Sequence, residues 1–127
     1  MNRNSRLQII NWTNVYKNYT DDITFLQDVF YEFKLEILNE IKELSNFILL
    51  QDYEKIYLIS HKMKGTLFFY YCEESGDIME DICFISKKGI NDPSQEKILE
   101  IEILFDEFYK NFESVKYEID SHLFKKK

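Results

Sequence analysis

The residues best able to do chemistry lie together mid-chain, in Ser60-His61-Lys62-Met63-Lys64-Gly65-Thr66. With a reference pKa of about 6.5, an imidazole such as that of His61 is mostly neutral at neutral pH and offers a nucleophilic nitrogen without a dedicated base. Lys64 follows within one helical turn, where its ammonium can lie alongside an anion held on the ring. Gly65 falls one turn after His61 on the same helical face, where a glycine costs about 1 kcal/mol relative to alanine. The missing side chain opens space beside the imidazole for a phosphoryl group and for the backbone of a partner. Phosphoryl transfer needs mainly in-line positioning and neutralisation of charge. The sequence has no Gly-rich phosphate loop and no obvious carboxylate cluster for Mg²⁺, so a partner must bring those parts.

Periodicity sets where this segment points. In a helix over 53–72, Ile56, Ile59, Met63, Leu67 and Tyr70 share one face, which is the core side. His61 then lies about 155° from the centre of that stripe, pointing away from the core its own helix builds. The bland alternative is an ordinary exposed histidine. Leu58 and Phe68 flank it on the outward face, and apolar side chains around an exposed polar centre, with Lys62 beside them, read as a docking patch. Lys87 and Lys88 come one helix later and add to a local positive site on an acidic chain.

The remaining elements are helical as well. Asp21-Asp22 caps a stripe of Leu26, Phe30, Phe33, Ile37, Ile41, Leu44 and Ile48 at steps of three and four. Asp52 caps the helix of His61. Ser75-Gly76 is expected to separate that helix from a shorter one carrying Ile78, Ile82 and Ile85, which should end on Lys87-Lys88-Gly89 with glycine after its last turn. Asp92-Pro93-Ser94-Gln95 reads as an N-cap, a proline at the first helical position and a Gln three residues past the cap. Ile98, Ile101, Phe105, Phe108, Phe112, Val115 and Ile119 follow at the spacing of a bundle seam. The expected fold is all-α: an antiparallel four-helix bundle over 21–121, a short N-terminal helix or lid within 1–19 built on Leu7 to Tyr19, and a basic tail at 122–127.

Length and composition agree with one domain spanning 1–127. The 127 residues suffice for one core and not for two, and 3 Gly and 1 Pro leave few turns. A formal charge of -7 argues against nucleic acid, whose backbone requires a basic face. No apolar run reaches membrane-spanning length and the first residues carry no signal-peptide core, so a cytosolic protein is expected, nuclear as well in a eukaryote. Cys72 and Cys83 are expected to be reduced, buried small hydrophobes, and the Asn11-Trp-Thr and Asn18-Tyr-Thr sequons to go unused.

The segment from His61 to Thr66 resembles the signature of histidine phosphotransfer (HPt) domains: His, any residue, an aliphatic residue, Lys, Gly and a small hydroxyl residue. Met63 and Thr66 are mild substitutions within it. Ile9-Ile10-Asn11-Trp12 is similar to the hydrophobic-Asn-Trp start of free-standing members, and the likeness extends over essentially the whole chain. It implies a four-helix bundle with His61 as phosphoryl acceptor, Lys64 as the cation beside the phosphate, Gly65 as the residue that leaves room and Lys87 as a second cation. The implied partners are receiver domains of hybrid histidine kinases and response regulators, which supply Mg²⁺; no cofactor of its own, no kinase activity and a monomer are expected. One departure is Tyr71, where many members have Gly ten residues after the histidine.

Three rivals remain. A helical adaptor would use the His61 face for binding alone. A di-metal bundle needs paired Glu-x-x-His motifs, which neither His61 nor His122 provides; His122, next to Lys125-Lys126-Lys127, suits a frayed or end-capping role. A phosphorylatable domain of a chemotaxis-type kinase keeps the chemistry in another context, although a start at Met1 and an end after the last helix favour a free-standing carrier.

Overall fold

A computed structural model describes residues 9–124. Leu7, in the expected N-terminal helix, and the lysine tail at 125–127 lie outside the described residues. Within them the chain is all-helical, in the order α1 (Trp12–Asn18), α2 (Ile23–Leu49), α3 (Tyr53–Phe69), α4 (Glu73–Asn91) and α5 (Gln95–Ile119), with a π-helical turn at Asp120–Phe124. No strand occurs among the described residues.

Each long helix buries one stripe. Leu26, Phe30, Phe33, Ile37, Leu44 and Ile48 of α2 meet Ile56, Ile59, Met63 and Leu67 of α3, Ile78, Met79 and Ile82 of α4, and Ile98, Ile101, Phe108, Phe112 and Val115 of α5 in one core. α3 packs on α2 and α4, α4 on α5, and α5 on α2. Burying side chains of this size contributes about 1.5–3 kcal/mol apiece. No helix among the described residues is long and apolar enough to cross a membrane.

Side-chain caps start three of the long helices: Asp22 accepts from the amide of Phe25, Asp52 from Lys55 and Ser94 from Lys97. The last corrects the expected start of α5. Asp92 closes α4, and Ser94, nearer in sequence to the first apolar residue, takes the capping position.

Two expected boundaries at glycine also move. Ser75-Gly76 lies inside α4, not before it, and α4 continues past Gly89 to Asn91. Both glycines are notches in which aromatic rings of α3 seat. A Cβ on Gly76 would come within 2.5 Å of the Phe68 ring, and one on Gly89 would collide with the ring of Tyr53. The missing side chain serves helix packing there, not termination.

The turns that glycine would suit are made by other residues. After α2, Gln51 takes a left-handed φ of 55°, its amide bonding Ile48 O and that of Asp52 bonding Phe47 O. After α3, Tyr71 does the same at φ 59°, with Tyr71 N–H to Phe68 O and Cys72 N–H to Leu67 O. Both are Schellman closures without glycine. The departure at Tyr71 therefore keeps the backbone shape a glycine would give. Tyr71 is held by Asn18, whose amide donates to its hydroxyl at 2.8 Å, and by its carbonyl, which accepts from Asn11 N–H at 3.0 Å.

The N-terminal segment is pinned to α5. The Glu118 carboxylate accepts from the amides of Ile9 and Ile10 and from Trp12 Nε1 at 2.8–3.1 Å. His122 is not frayed: its ring stacks on Trp12 at 4.1 Å between centroids and bonds the Tyr16 hydroxyl.

Candidate functional site

Position 61 faces solvent because the buried residues of α3 recur on the opposite side of the helix. One turn on, Gly65 is exposed too, and a Cβ built there would meet nothing within 4 Å. This contrasts with Gly76 and Gly89, where packing explains the residue. At Gly65 no neighbouring side chain requires the notch. What remains is open surface beside an imidazole, on a helix that would be more stable with any other ordinary residue there.

The cations are arranged unequally around it. Lys64 is half-buried at the edge of this face and makes no ion pair among the described residues. Lys62 is held elsewhere: its Nζ lies 3.0 Å from Glu40 Oε2 on α2. It is thus part of an ion pair, and its side chain remains 65% exposed on the face where the sequence places it as a docking residue. Glu40 is only 3% exposed, and its carboxyl is pushed above the ordinary carboxylate range by burial, an effect the Lys62 ammonium opposes without cancelling. The geometry puts the pair within bonding range, but no well-directed hydrogen bond reaches either carboxylate oxygen. The Lys62 ammonium is held above its usual value chiefly by the same contact.

Lys87 reaches the site through a residue that sequence reasoning missed. Its Nζ lies 5.8 Å from the ring centroid of Tyr57, and that ring lies 5.9 Å from the imidazole of His61. Tyr57 is one turn before His61, so α3 presents the imidazole next to an aromatic ring that also attracts the α4 cation. Lys88 instead covers Phe84, 4.4 Å from its centroid, and takes no part.

The apolar rim is also redrawn. Leu58 is 60% exposed, as a docking residue requires. Phe68 is not available in that way, being half-buried with its ring in the Gly76 notch. Its neighbour Phe69 is 58% exposed and lies two turns beyond His61, in line with His61 and Gly65. Tyr19 stacks on it at 5.1 Å and donates its hydroxyl to the Phe69 carbonyl at 2.6 Å. Comparison with models of known families, with curated proteins and with solved structures gives no match. The reading of this face rests on its own geometry.

That geometry is a surface, not a pocket. The groove of about 410 Å³ between α4 and α5 does not include His61. A convex helix face with one nucleophile, a nearby cation, a gap and an apolar rim can engage a second macromolecule that brings a concave site.

Proposed function

We propose that this chain is a histidine phosphotransfer protein in which α2 to α5 form an antiparallel four-helix bundle and His61 carries a phosphoryl group between receiver-domain aspartates. The observation that carries the reading is the exposed pair His61 and Gly65, one turn apart, with open space where a Cβ would stand. An imidazole nitrogen attacks the phosphorus of an aspartyl phosphate in line; the N–P bond forms as the P–O bond to the aspartate breaks. The ring is left as a phosphoimidazolium whose proton, on the nitrogen that did not attack, stays or leaves to solvent, and attack by another aspartate on the same phosphorus takes the phosphoryl group away as the N–P bond breaks. Lys64 neutralises charge on the transferring oxygens, Lys87 adds a cation from α4, and the receiver supplies Mg²⁺ and its carboxylates. Leu58 and Phe69 give the docking rim.

The protein is in this reading a carrier that takes its phosphoryl group from a receiver and not from ATP. Incubation with a panel of phosphorylated receiver domains and Mg²⁺ tests it. Transfer of label to this chain, with none taken directly from ATP, is expected. Self-labelling from ATP by the pure protein, or no transfer from any receiver, would overturn it.

A further inference from the structure

The imidazole of His61 has a neighbour on one side only. In an α-helix each side chain leans over the turn that precedes it, so residue 61 lies towards residue 57, and residue 65 would lie towards residue 61. Position 57 is a tyrosine, whose ring centroid stands 5.9 Å from that of His61 with the planes tilted by 50°. Position 65 is glycine, where a Cβ would meet nothing within 4 Å. The imidazole therefore rests against an aromatic ring towards the start of α3 and faces open space towards its end.

The same ring neighbours the α4 cation. Tyr57 is half-buried, and Lys87 places its Nζ 5.8 Å from the ring centroid. Left to themselves, an exposed histidine and an exposed lysine sample several rotamers, and ordering them at the moment of transfer costs rate. A neutral ring suits the task of holding both. A carboxylate at position 57 would bind Lys87 in an ion pair and withhold it, whereas a cation–π contact at this distance is weak enough to yield to the phosphoryl oxygens.

We infer that Tyr57 is a positioning residue for phosphoryl transfer: its ring fixes the imidazole with the free side towards the Gly65 gap and keeps Lys87 at hand. The inference rests on the phosphotransfer reading of His61 and gives a part to a residue outside the segment from His61 to Thr66. That part belongs to the ring and not to the hydroxyl.

Two measurements on the full chain, for the wild type, Tyr57→Phe and Tyr57→Ala, provide the test. NMR of the unphosphorylated protein reads the imidazole directly, and with 2 histidines in the chain His61→Gln assigns the signals. Three-bond couplings should report a single χ1 rotamer for His61 in the wild type and Tyr57→Phe, with ring-to-ring NOEs to residue 57, and averaged rotamers in Tyr57→Ala. Single-turnover transfer from a phosphorylated receiver, beside receiver affinity, reads the role. At saturating receiver Tyr57→Ala should slow transfer by about threefold to tenfold, the range for ordering one side chain, with affinity held within about twofold. Tyr57→Phe should restore the rate. Tyr57→Leu, which fills the half-buried space without an aromatic face, carries the same expectations should Tyr57→Ala fail to fold. An imidazole that averages its rotamers in the wild type, or stays as ordered without the Tyr57 ring, would overturn the inference whatever receivers do. So would a ringless variant that transfers at the wild-type rate, or one that loses receiver affinity instead, which would make Tyr57 a docking residue. An ordered imidazole that no receiver phosphorylates would overturn the phosphotransfer reading, and this part for Tyr57 with it, while leaving the contact between the rings.

Discussion

Gly65 separates the thermodynamic demand of the helix from the demand of the site, and replacing it should move the two in opposite directions. Removing an interior helical glycine in favour of alanine is worth about 1 kcal/mol, and glutamine recovers about half of that. The structure subtracts nothing from these figures, because a Cβ at Gly65 meets no atom within 4 Å. For a domain of this size, about 1 kcal/mol corresponds to a rise in Tm of about 3–5 °C. Gly65→Ala should therefore melt a few degrees higher and Gly65→Gln somewhat less so. The longer side chain of Gln, however, extends over the turn towards His61 and occupies the space left for a phosphoryl group. Single-turnover transfer from a phosphorylated receiver should slow at least about tenfold in Gly65→Gln, or about 1.4 kcal/mol of lost transition-state stabilisation, and much less in Gly65→Ala. Calorimetry and quenched-flow labelling on the same preparations read both quantities. A Gln variant that transfers at the wild-type rate would refute the access argument; one that melts lower would show that the glycine has a structural task the open space does not reveal.

Three further perturbations follow from particular contacts. Gln51→Gly should stabilise the protein by up to about 1 kcal/mol by relieving the left-handed residue, whereas Tyr71→Gly should destabilise it because the ring and hydroxyl contacts are lost with the strain; chemical denaturation of both variants checks the sign. Lys62→Met should cost about 1–3 kcal/mol at neutral pH by stranding the buried Glu40 carboxylate, while Glu40→Gln should be close to neutral. Because the folded-state pKa of Glu40 is raised, its contribution is fully present below the unfolded carboxyl value and is lost as pH rises through the folded value. The Lys62→Met penalty should accordingly shrink in acid and vanish in the double variant, as stability curves across that window would reveal. On the rim, Leu58→Ala and Phe69→Ala should weaken receiver binding, at least one by more than about 1 kcal/mol, Leu58→Ala with little change in Tm and Phe69→Ala with a modest fall from its lost contacts with Tyr19 and Tyr70; Phe68→Ala should do the reverse, lowering stability by about 3 kcal/mol, and calorimetry beside titration with a receiver separates the two.

The orientation of His61 is legible in sequence because it depends only on the spacing of Ile56, Ile59, Met63 and Leu67 along one helix. The choice between Phe68 and Phe69 is not, because adjacent residues differ by about 100° around the axis and only the position of α4 decides which of them is covered. The same dependence hides Gly76 and Gly89. A glycine in a helical run reads as a boundary until the ring that fills its notch is known. Glu40 left a fainter trace: it stands where the stripe through Phe33, Ile37 and Leu44 calls for an apolar residue, and a charge in that register implies a partner. The partner, Lys62, could not be named, since ion pairing between helices depends on their relative height. Tyr57 joins the site through Lys87 over its ring, a contact between helices that the spacing along α3 does not contain.

Phosphate acceptance at His61 can be measured by intact-protein mass spectrometry and phosphorus NMR after incubation with a phosphorylated receiver, for the wild type and for His61→Gln. The expected result is one phosphoryl group per chain, acid-labile and alkali-stable as a phosphoramidate is, lost entirely in the variant with stability changed by no more than about 0.5 kcal/mol. Label retained by His61→Gln, at His122 or at any hydroxyl, or a wild-type chain that accepts none, would contradict it.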